Sequence, residues 1–474
     1  RNRNKPVSSV TIKGVKTKQL VNYFDTLLRT SNINTRKNLV MKSLQIFDLT
    51  FDEMLRVVEP HTVLYNAIKE LRELMVHNIK YSKESAPTLP FPHKFIEHVN
   101  DLSVESSNGF TIVGSLEGYS SFKPPVDRND LYPHLVQLRP EVETYKYPDN
   151  KPDTADKALQ HQLRTFFQDR ATKLVSTSPE AIDKFIKKYN YPVSVKNTLQ
   201  YAFDSSIVAP ERLSRLKADP TFMQEIYHQI FEVNKHSRPG YPYQSTNPSN
   251  GSFSEERRWA LVLEALLRID RLNALPRTTR FTPSDGMDMI SRGLCDVTFC
   301  DTKTEPHPER KWRNNHYRII SLVAIPDQII DRLLWHSLHN FETSHWREIK
   351  GSHIGMGFNQ DCTQIVLEEL QEFINPKATD MSGWDYHVSA SLLQADVQIR
   401  NRQCDHEDYT RHIANMRQDI LANAPYMTPS GTFYQPAYSG MQKSGAYTTS
   451  NGNSRMRAYL AFLLGAERCI TIGA

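Results

Sequence analysis

Two aspartates five residues apart, Asp380 and Asp385, stand in the run Lys377-Ala-Thr-Asp380-Met-Ser-Gly-Trp-Asp385. The first four residues read as a short strand, and a strand end followed by a tight turn presents its carboxylate instead of burying it. Such a turn can aim both acids into one cavity, one toward Mg²⁺ and one toward a sugar hydroxyl. Mg²⁺ takes one or two carboxylates and completes its shell with phosphate oxygens and water. The same pair could also simply cap the helix that follows. A second stretch, residues 439–455, reads SGMQKSGAYTTSNGNSR and opens onto an apolar helical run at 456–464. Free backbone N–H groups at a helix start, approached past small side chains, suit a polyanion and a sugar. An ordinary Ser/Thr/Asn-rich capped loop has the same composition.

Two further stretches carry chemistry. Lys303-Thr-Glu-Pro-His-Pro-Glu-Arg-Lys311, followed by Tyr317-Arg-Ile-Ile320, sets cations on a loop beside a strand-like run. Lysine as a point charge and arginine as a planar fork suit a triphosphate, although a solvated charged loop reads the same way. Ser237-Arg-Pro-Gly-Tyr-Pro-Tyr243 is a rigid turn with aromatic faces. It could guide a single strand by stacking, or be a turn and nothing more.

The elements that must position these residues are mainly helical. A helix is expected over 220–233. Ser252 and Glu255 suggest a capping box, ahead of Trp259, Val262, Leu263, Leu266 and Ile269 at helical spacing. Residues 296–300 alternate like a short strand. Pro326 opens a helix lined by Ile330, Leu333, Leu334, Ser337, Leu338 and Phe341. Residues 1–85 read as mainly helical with weak periodicity, and a Pro-containing charged stretch at 140–156 reads as a linker.

Bulk properties exclude several classes. The chain has 474 residues, 39% hydrophobic and 23% charged, a globular balance. The net charge of +5 permits a polyanionic partner, and the first 24 residues carry six Lys or Arg and no acid. Five scattered cysteines without a Cys-x-x-Cys pair suggest neither a zinc ribbon nor a thioredoxin site, and suit a reducing compartment. The longest apolar runs, such as 458–466, are about half of what spans a bilayer. An arginine rather than a methionine at position 1 reads as a piece of something longer.

In chain order the four stretches resemble motifs G, F, A and B of viral RNA-dependent RNA polymerases, in the manner of the sobemovirus-like positive-strand viruses. SRPGYPY is similar to motif G, KTEPHPERK with YRII to motif F, DMSGWD to motif A, and residues 439–455 to motif B. The resemblance covers about residues 235–474. It implies an α+β right-hand polymerase fold with mostly helical fingers and a partial palm on an antiparallel sheet, the thumb absent. Residues 1–150 remain unmatched, 151–376 would be fingers, and 377–474 partial palm. Carried over by residue, Asp380 would ligate the catalytic metals, Mg²⁺ or Mn²⁺. Asp385, Thr449 and Asn453 would recognise the ribose 2′-OH. Ser444 and Gly445 would form the loop beside template and nucleotide, while Lys303, Lys311 and Arg318 would face the triphosphate. Ser237, Gly240 and Pro242 would line the template channel.

The resemblance further implies an RNA template, an RNA or protein primer, NTPs and other viral replication proteins as partners. It places the chain in the host-cell cytoplasm, in replication complexes on membranes. Chemistry agrees: nucleotidyl transfer is an in-line displacement between two metals, and a carboxylate within reach of the 2′-OH separates RNA from DNA substrates. One element departs. No Gly-Asp-Asp occurs, and residues 468–473 read as the β-run into a glycine that should begin motif C. The expectation is therefore a fragment unable to polymerise, whose parent reading frame continues with Asp-Asp after Gly473. A non-catalytic single-stranded-RNA-binding product is the alternative, and a reverse transcriptase a distant third, disfavoured by Asp385.

Overall fold

The structure is a computed structural model. It describes residues 62–76, 109–115, 145–148, 151, 153–169 and 175–471, the last without 221–225, 227–232, 234, 246 and 358, together with residues 11, 12, 15, 16, 40, 43 and 58. In chain order the strands are β1 (Thr11–Ile12), β2 (Val15–Lys16), β3 (Phe110–Ser115), β4 (Tyr145–Lys146), β5 (Thr298–Thr302), β6 (His307–Pro308), β7 (Ile319–Leu322), β8 (Tyr426–Met427) and β9 (Thr432–Pro436). The helices are α1 (Val63–Val76), α2 (Thr154–Asp169), α3 (Pro179–Lys188), α4 (Ala209–Ala218), α5 (Glu255–Asn273) and α6 (Gly286–Ser291). They continue with α7 (Glu309–Arg313), α8 (Ile325–Ser344), α9 (Gln360–Gln371), α10 (Ala390–Gln403), α11 (Asp408–Asn423) and α12 (Thr449–Leu463).

The largest sheet runs β3-β9-β8-β5-β7. It is mixed rather than antiparallel: β5 and β8 lie parallel, Thr298 opposite Tyr426, and the other pairs are antiparallel. The parallel pair follows from the long helical crossover, α8 to α11, between those two strands. β3 comes from the part of the sequence that matched nothing, and it pairs along β9 from Phe110↔Pro436 to Ser115↔Thr432. β4, inside the expected linker, pairs with β6 of the basic loop.

α5 packs against α4, α8 and α11. Its stripe is buried as its spacing requires, with Val262, Leu266 and Ile269 at 0% exposure, and each such side chain contributes about 1.5–3 kcal/mol. Buried ion pairs cross the same interface. Arg268 meets Asp296 and Asp327, each at 2.9 Å, and Arg417 meets Asp327 at 2.7 Å and Asp331 at 3.1 Å. α8 begins at Ile325 with Pro326 in its first turn, as expected.

Other expectations are corrected. The α5 cap is Ser254, whose side chain accepts from the Arg257 N–H, while Ser252 belongs to a separate capping box with Ser249 on the preceding 3₁₀ turn. The strand expected at 377–380 is absent; those residues are exposed coil. Lys-Ala-Thr-Asp lacks an apolar face, and among the described residues no strand pairs it; the Thr379 carbonyl accepts from the Arg457 side chain instead. Residues 468–471 are likewise unpaired coil, held by the Thr471 carbonyl accepting from the His353 N–H at 2.8 Å. Gly473 and most of 220–233 lie outside the described residues. Among the described residues no helix is long and apolar enough to cross a membrane.

Candidate functional site

The Ser/Gly-rich stretch enters the site between α11 and α10. Gly440 and Met441 both take positive φ, 137° and 63°. A Cβ on Gly440 would meet the Phe166 ring at 2.6 Å, which leaves glycine as the residue that fits. This backbone reversal turns three consecutive N–H groups toward older structure: Gly440 donates to the Ala422 carbonyl at 3.0 Å, Met441 to Val388 at 2.8 Å and Gln442 to Asp385 at 2.8 Å. The segment after Asp380 and the segment before Ser444 are thus joined main chain to main chain.

Ser444 and Gly445 then clasp β7. The Ser444 Oγ accepts from the Ser321 N–H at 2.9 Å, and the Gly445 N–H donates to the Ser321 carbonyl at 2.9 Å. β7 is an edge strand, and the clasp satisfies the polar groups its free side would otherwise leave open. A Cβ on Gly445 would stand 2.4 Å from the Ser321 oxygen. Beyond it the helix begins at Thr449, seven residues earlier than the apolar pattern at 456 suggested. The Thr449 hydroxyl donates to the Lys443 carbonyl at 2.7 Å and closes the turn. Thr449 and Asn453 therefore sit on the first turns of α12, both buried. The Asn453 Oδ1 accepts from the Gln442 Nε2 at 3.1 Å.

Beneath α12 lies a buried charge network that no sequence pattern singled out. Arg455 donates to Glu342 on α8 at 2.6 Å and to Asp396 on α10 at 2.9 Å; Asn451 donates to Glu342 at 2.9 Å; Arg400 donates to Asp396 at 2.9 Å. The network was invisible in sequence because Arg455 joins carboxylates 113 and 59 positions away (455 − 342, 455 − 396). A buried arginine between two carboxylates fixes the rotation and depth of α12, since an unpaired member would be costly.

The two aspartates differ. Asp385 lies on a 3₁₀ turn, Trp384–His387, entered through Gly383 at φ 63°. Burial pushes its carboxyl up to about 6, and the nearby Arg318 guanidinium pulls the other way. Asp380 is exposed; its neighbour Thr379 offers a carbonyl to Arg457 of α12 at 2.9 Å. The expected cations gather in part. The Lys303 N–H donates to the Arg318 carbonyl at 2.8 Å, and both side chains face Glu305, Lys303 at 2.9 Å and Arg318 at 3.8 Å. Glu305 holds the two cations at one end of the β5–β7 pair. Lys311 is exposed on α7.

The turn at 237–243 packs on the β7–α8 junction. The Ile325 N–H donates to the Pro239 carbonyl at 2.9 Å, and a Cβ on Gly440's counterpart in this turn, Gly240, would meet the Ala324 Cα at 2.9 Å. Gly240 and Pro242 are buried, while Ser237 and Arg238 are half-buried, Arg238 pairing with Asp301 at 2.6 Å. The expectation that the tyrosine faces stack on a strand is corrected. Tyr241 and Tyr243 belong to the main core at 6% and 3% exposure, and the Tyr243 hydroxyl donates to Glu264 at 3.1 Å.

The geometry thus brings Asp385, Arg318, Ser444, Gly445 and Asn453 into one connected arrangement and leaves Asp380 at its exposed side. The chain has sequence relatives among viral replicases. The chain is 31% identical over 249 residues to the replicase polyprotein P2AB of Southern bean mosaic virus, covering 52% of this chain and 26% of that protein. It is 33% identical over 251 residues to the P2AB polyprotein of Cocksfoot mottle virus, 51% of this chain and 26% of the relative. It is 28% identical over 254 residues to the RNA-directed RNA polymerase of Mushroom bacilliform virus, 51% of this chain and 60% of that protein. The chain spans about a quarter of the length of the polyproteins it matches. No family model matches it. The resemblance to sobemovirus-like replicases is therefore one of sequence along half the chain, beyond its short motifs.

Proposed function

We propose that this chain carries the fingers and part of the palm of an RNA-templated RNA polymerase serving viral RNA replication. The observation that carries the reading is the clasp. Ser444 and Gly445 hold Ser321, the strand next to the basic loop, while Gln442 holds Asp385. Three of the four resembled stretches are thereby tied together, and relatives named as replicases support the same reading.

In this reading Lys303, Lys311 and Arg318 neutralise the triphosphate. Asp385, Thr449 and Asn453 face the ribose. Ser444 and Gly445 lie beside template and nucleotide, and Ser237, Gly240 and Pro242 border the template path. The work of these residues is positioning and charge neutralisation, which is most of what phosphoryl-transfer catalysis asks of a protein. Mg²⁺ or Mn²⁺, when bound, would supply charge stabilisation on the attacking and leaving oxygens. The fit is partial. Asp380 offers one carboxylate, and among the described residues no three His, Cys, Asp or Glu side chains cluster to hold an ion. No step is therefore assigned through the metal.

That lone carboxylate favours a second reading for residues 1–474 by themselves: an RNA-binding unit that does not polymerise. The test uses both the chain and its parent replicase. The parent should incorporate labelled GMP on an RNA template with Mg²⁺, and Asp380→Asn should abolish incorporation. Residues 1–474 alone should bind single-stranded RNA with steep salt dependence and incorporate nothing. Undiminished incorporation by the Asp380→Asn parent refutes the polymerase assignment of this site. A preference of the parent for deoxyribonucleotides would point instead to a reverse transcriptase.

A further inference from the structure

We propose that Gln442 is a positioning residue that sets the hydrogen-bonding sense of the ribose pocket, and so its preference for a ribonucleotide. The inference rests on the polymerase reading above and adds a residue to it. Gln442 is 5% exposed and bonded at both ends. Its main-chain N–H donates to the Asp385 carbonyl at 2.8 Å, and its side-chain Nε2 donates to the Asn453 Oδ1 at 3.1 Å. The positive φ values of Gly440 and Met441 just before it, and the bond from Met441 to Val388 at 2.8 Å, fix where residue 442 points. One residue therefore links, by its main chain to Asp385 and by its side chain to Asn453, the two residues that would face the sugar, 68 positions apart (453 − 385).

An amide offers one acceptor end and one donor end. With its oxygen taken by Gln442, Asn453 has its Nδ2 to offer, and among the described residues no acceptor pairs with that nitrogen. Asp385 offers carboxylate oxygens, which accept. In the polymerase reading both face the sugar, and a donor beside an acceptor forms the complement of a hydroxyl, which gives one hydrogen bond and takes another. A 2′-hydroxyl satisfies both, and a 2′-deoxy carbon satisfies neither. A site built to bond a hydroxyl rejects the analogue lacking it because its polar groups are then left unpaired. Turning the Asn453 amide over would set two acceptors against one hydroxyl hydrogen and remove that complement.

The experiment is a calorimetric titration of the chain with GTP and with 2′-deoxy-GTP in the presence of Mg²⁺, on the native protein, Gln442→Glu and Gln442→Met. A glutamate accepts only, so Asn453 must turn its N–H toward residue 442 and its oxygen toward the sugar. The ratio of the two dissociation constants should fall about tenfold in Gln442→Glu, the value of one well-made hydrogen bond. It should fall about threefold in Gln442→Met, where the amide is released without a new charge. Gln442→Met also keeps the test open should a buried carboxylate unfold the loop. A merely structural role would weaken both nucleotides alike. Variants that keep the native ratio, whatever their absolute affinity, overturn the inference while leaving the polymerase reading standing. Failure of the native chain to bind either nucleotide overturns that reading and the inference with it.

Discussion

Lys443, next to the clasp, offers a test of how closely the Ser/Gly-rich stretch is packed. The side chain is 1% exposed, with its Nζ 3.3 Å from the Gly440 carbonyl and 4.6 Å from the Tyr426 ring centroid. Burial pushes the ammonium down to about 7 from its usual 10.5, against a small opposing effect of Cys300 and Cys295. A base whose folded pKa is depressed binds its proton more readily in the unfolded chain. Stability therefore rises with pH between about 7 and 10.5, and the full penalty applies below about 7. Each unit is worth about 1.4 kcal/mol, so the burden is roughly 4 kcal/mol at pH 7 and roughly 2 kcal/mol at pH 9. Lys443→Met keeps the length of the side chain and removes the titration. The variant should resist urea better than the native protein, with an advantage about halved on going from pH 7 to pH 9. Every other titrating group is common to both proteins and cancels in the difference. An advantage equal at the two pH values, or a variant less stable at both, would mean that the amine stays charged in the folded protein, and the packing argument would fail.

Two further predictions concern the clasp and its acid. Gly445→Ala places a methyl 2.4 Å from the Ser321 oxygen; the loop must withdraw, the Ser321 amide should exchange its hydrogen faster, and stability should drop by about 2 kcal/mol. Unchanged exchange at Ser321 would show that the clasp is not formed in solution. Burial raises the Asp385 carboxyl from 3.8 to about 6, so its contribution is fully present below 3.8 and lost as pH rises through about 6. Asp385→Asn should consequently stabilise the fold at pH 7 by about 3 kcal/mol, while abolishing the GTP preference. In the native chain that preference should weaken as pH falls through about 6 and the carboxylate is protonated. A pH-independent preference would remove Asp385 from the sugar contact.

Parts of this arrangement are legible in the sequence for a definite reason. α5 and α8 carry their apolar residues at helical spacing, and their caps and first-turn proline act locally, so both helices lie where the pattern puts them to within a few residues. Ser444, Gly445, Thr449 and Asn453 were legible as a group because small residues, hydroxyls and a helix start act within one loop. Strands behave differently. Residues 377–380 have the lengths and types of a strand end but stay as coil, because a strand exists through the neighbour that takes its hydrogen bonds. β3 shows the converse. Phe-Thr-Ile-Val-Gly-Ser at 110–115 matched nothing by motif, yet β9, more than three hundred residues later (432 − 115 = 317), makes it part of the main sheet.

The same division explains the side chains. Tyr241 and Tyr243 look alike as stacking platforms or as core, and their burial in the main core, with the bond from Tyr243 to Glu264 on α5, decides for core. Gln442 sits in the motif-like stretch but has no distinguishing neighbour in sequence; its meaning lies in reaching Asp385 and Asn453 at once. Glu342 and Asp396 are ordinary helical acids until Arg455 stands between them. The residues proposed to touch a ligand are thus singled out by type and spacing, since that chemistry restricts what they can be. The residues that aim them are announced only by contact. It follows that substitutions at Gln442, Glu342 or Asp396 should change how well the sugar and helix α12 are oriented, a class of effect that motif-level reasoning would have assigned to Asn453 and Asp385 alone.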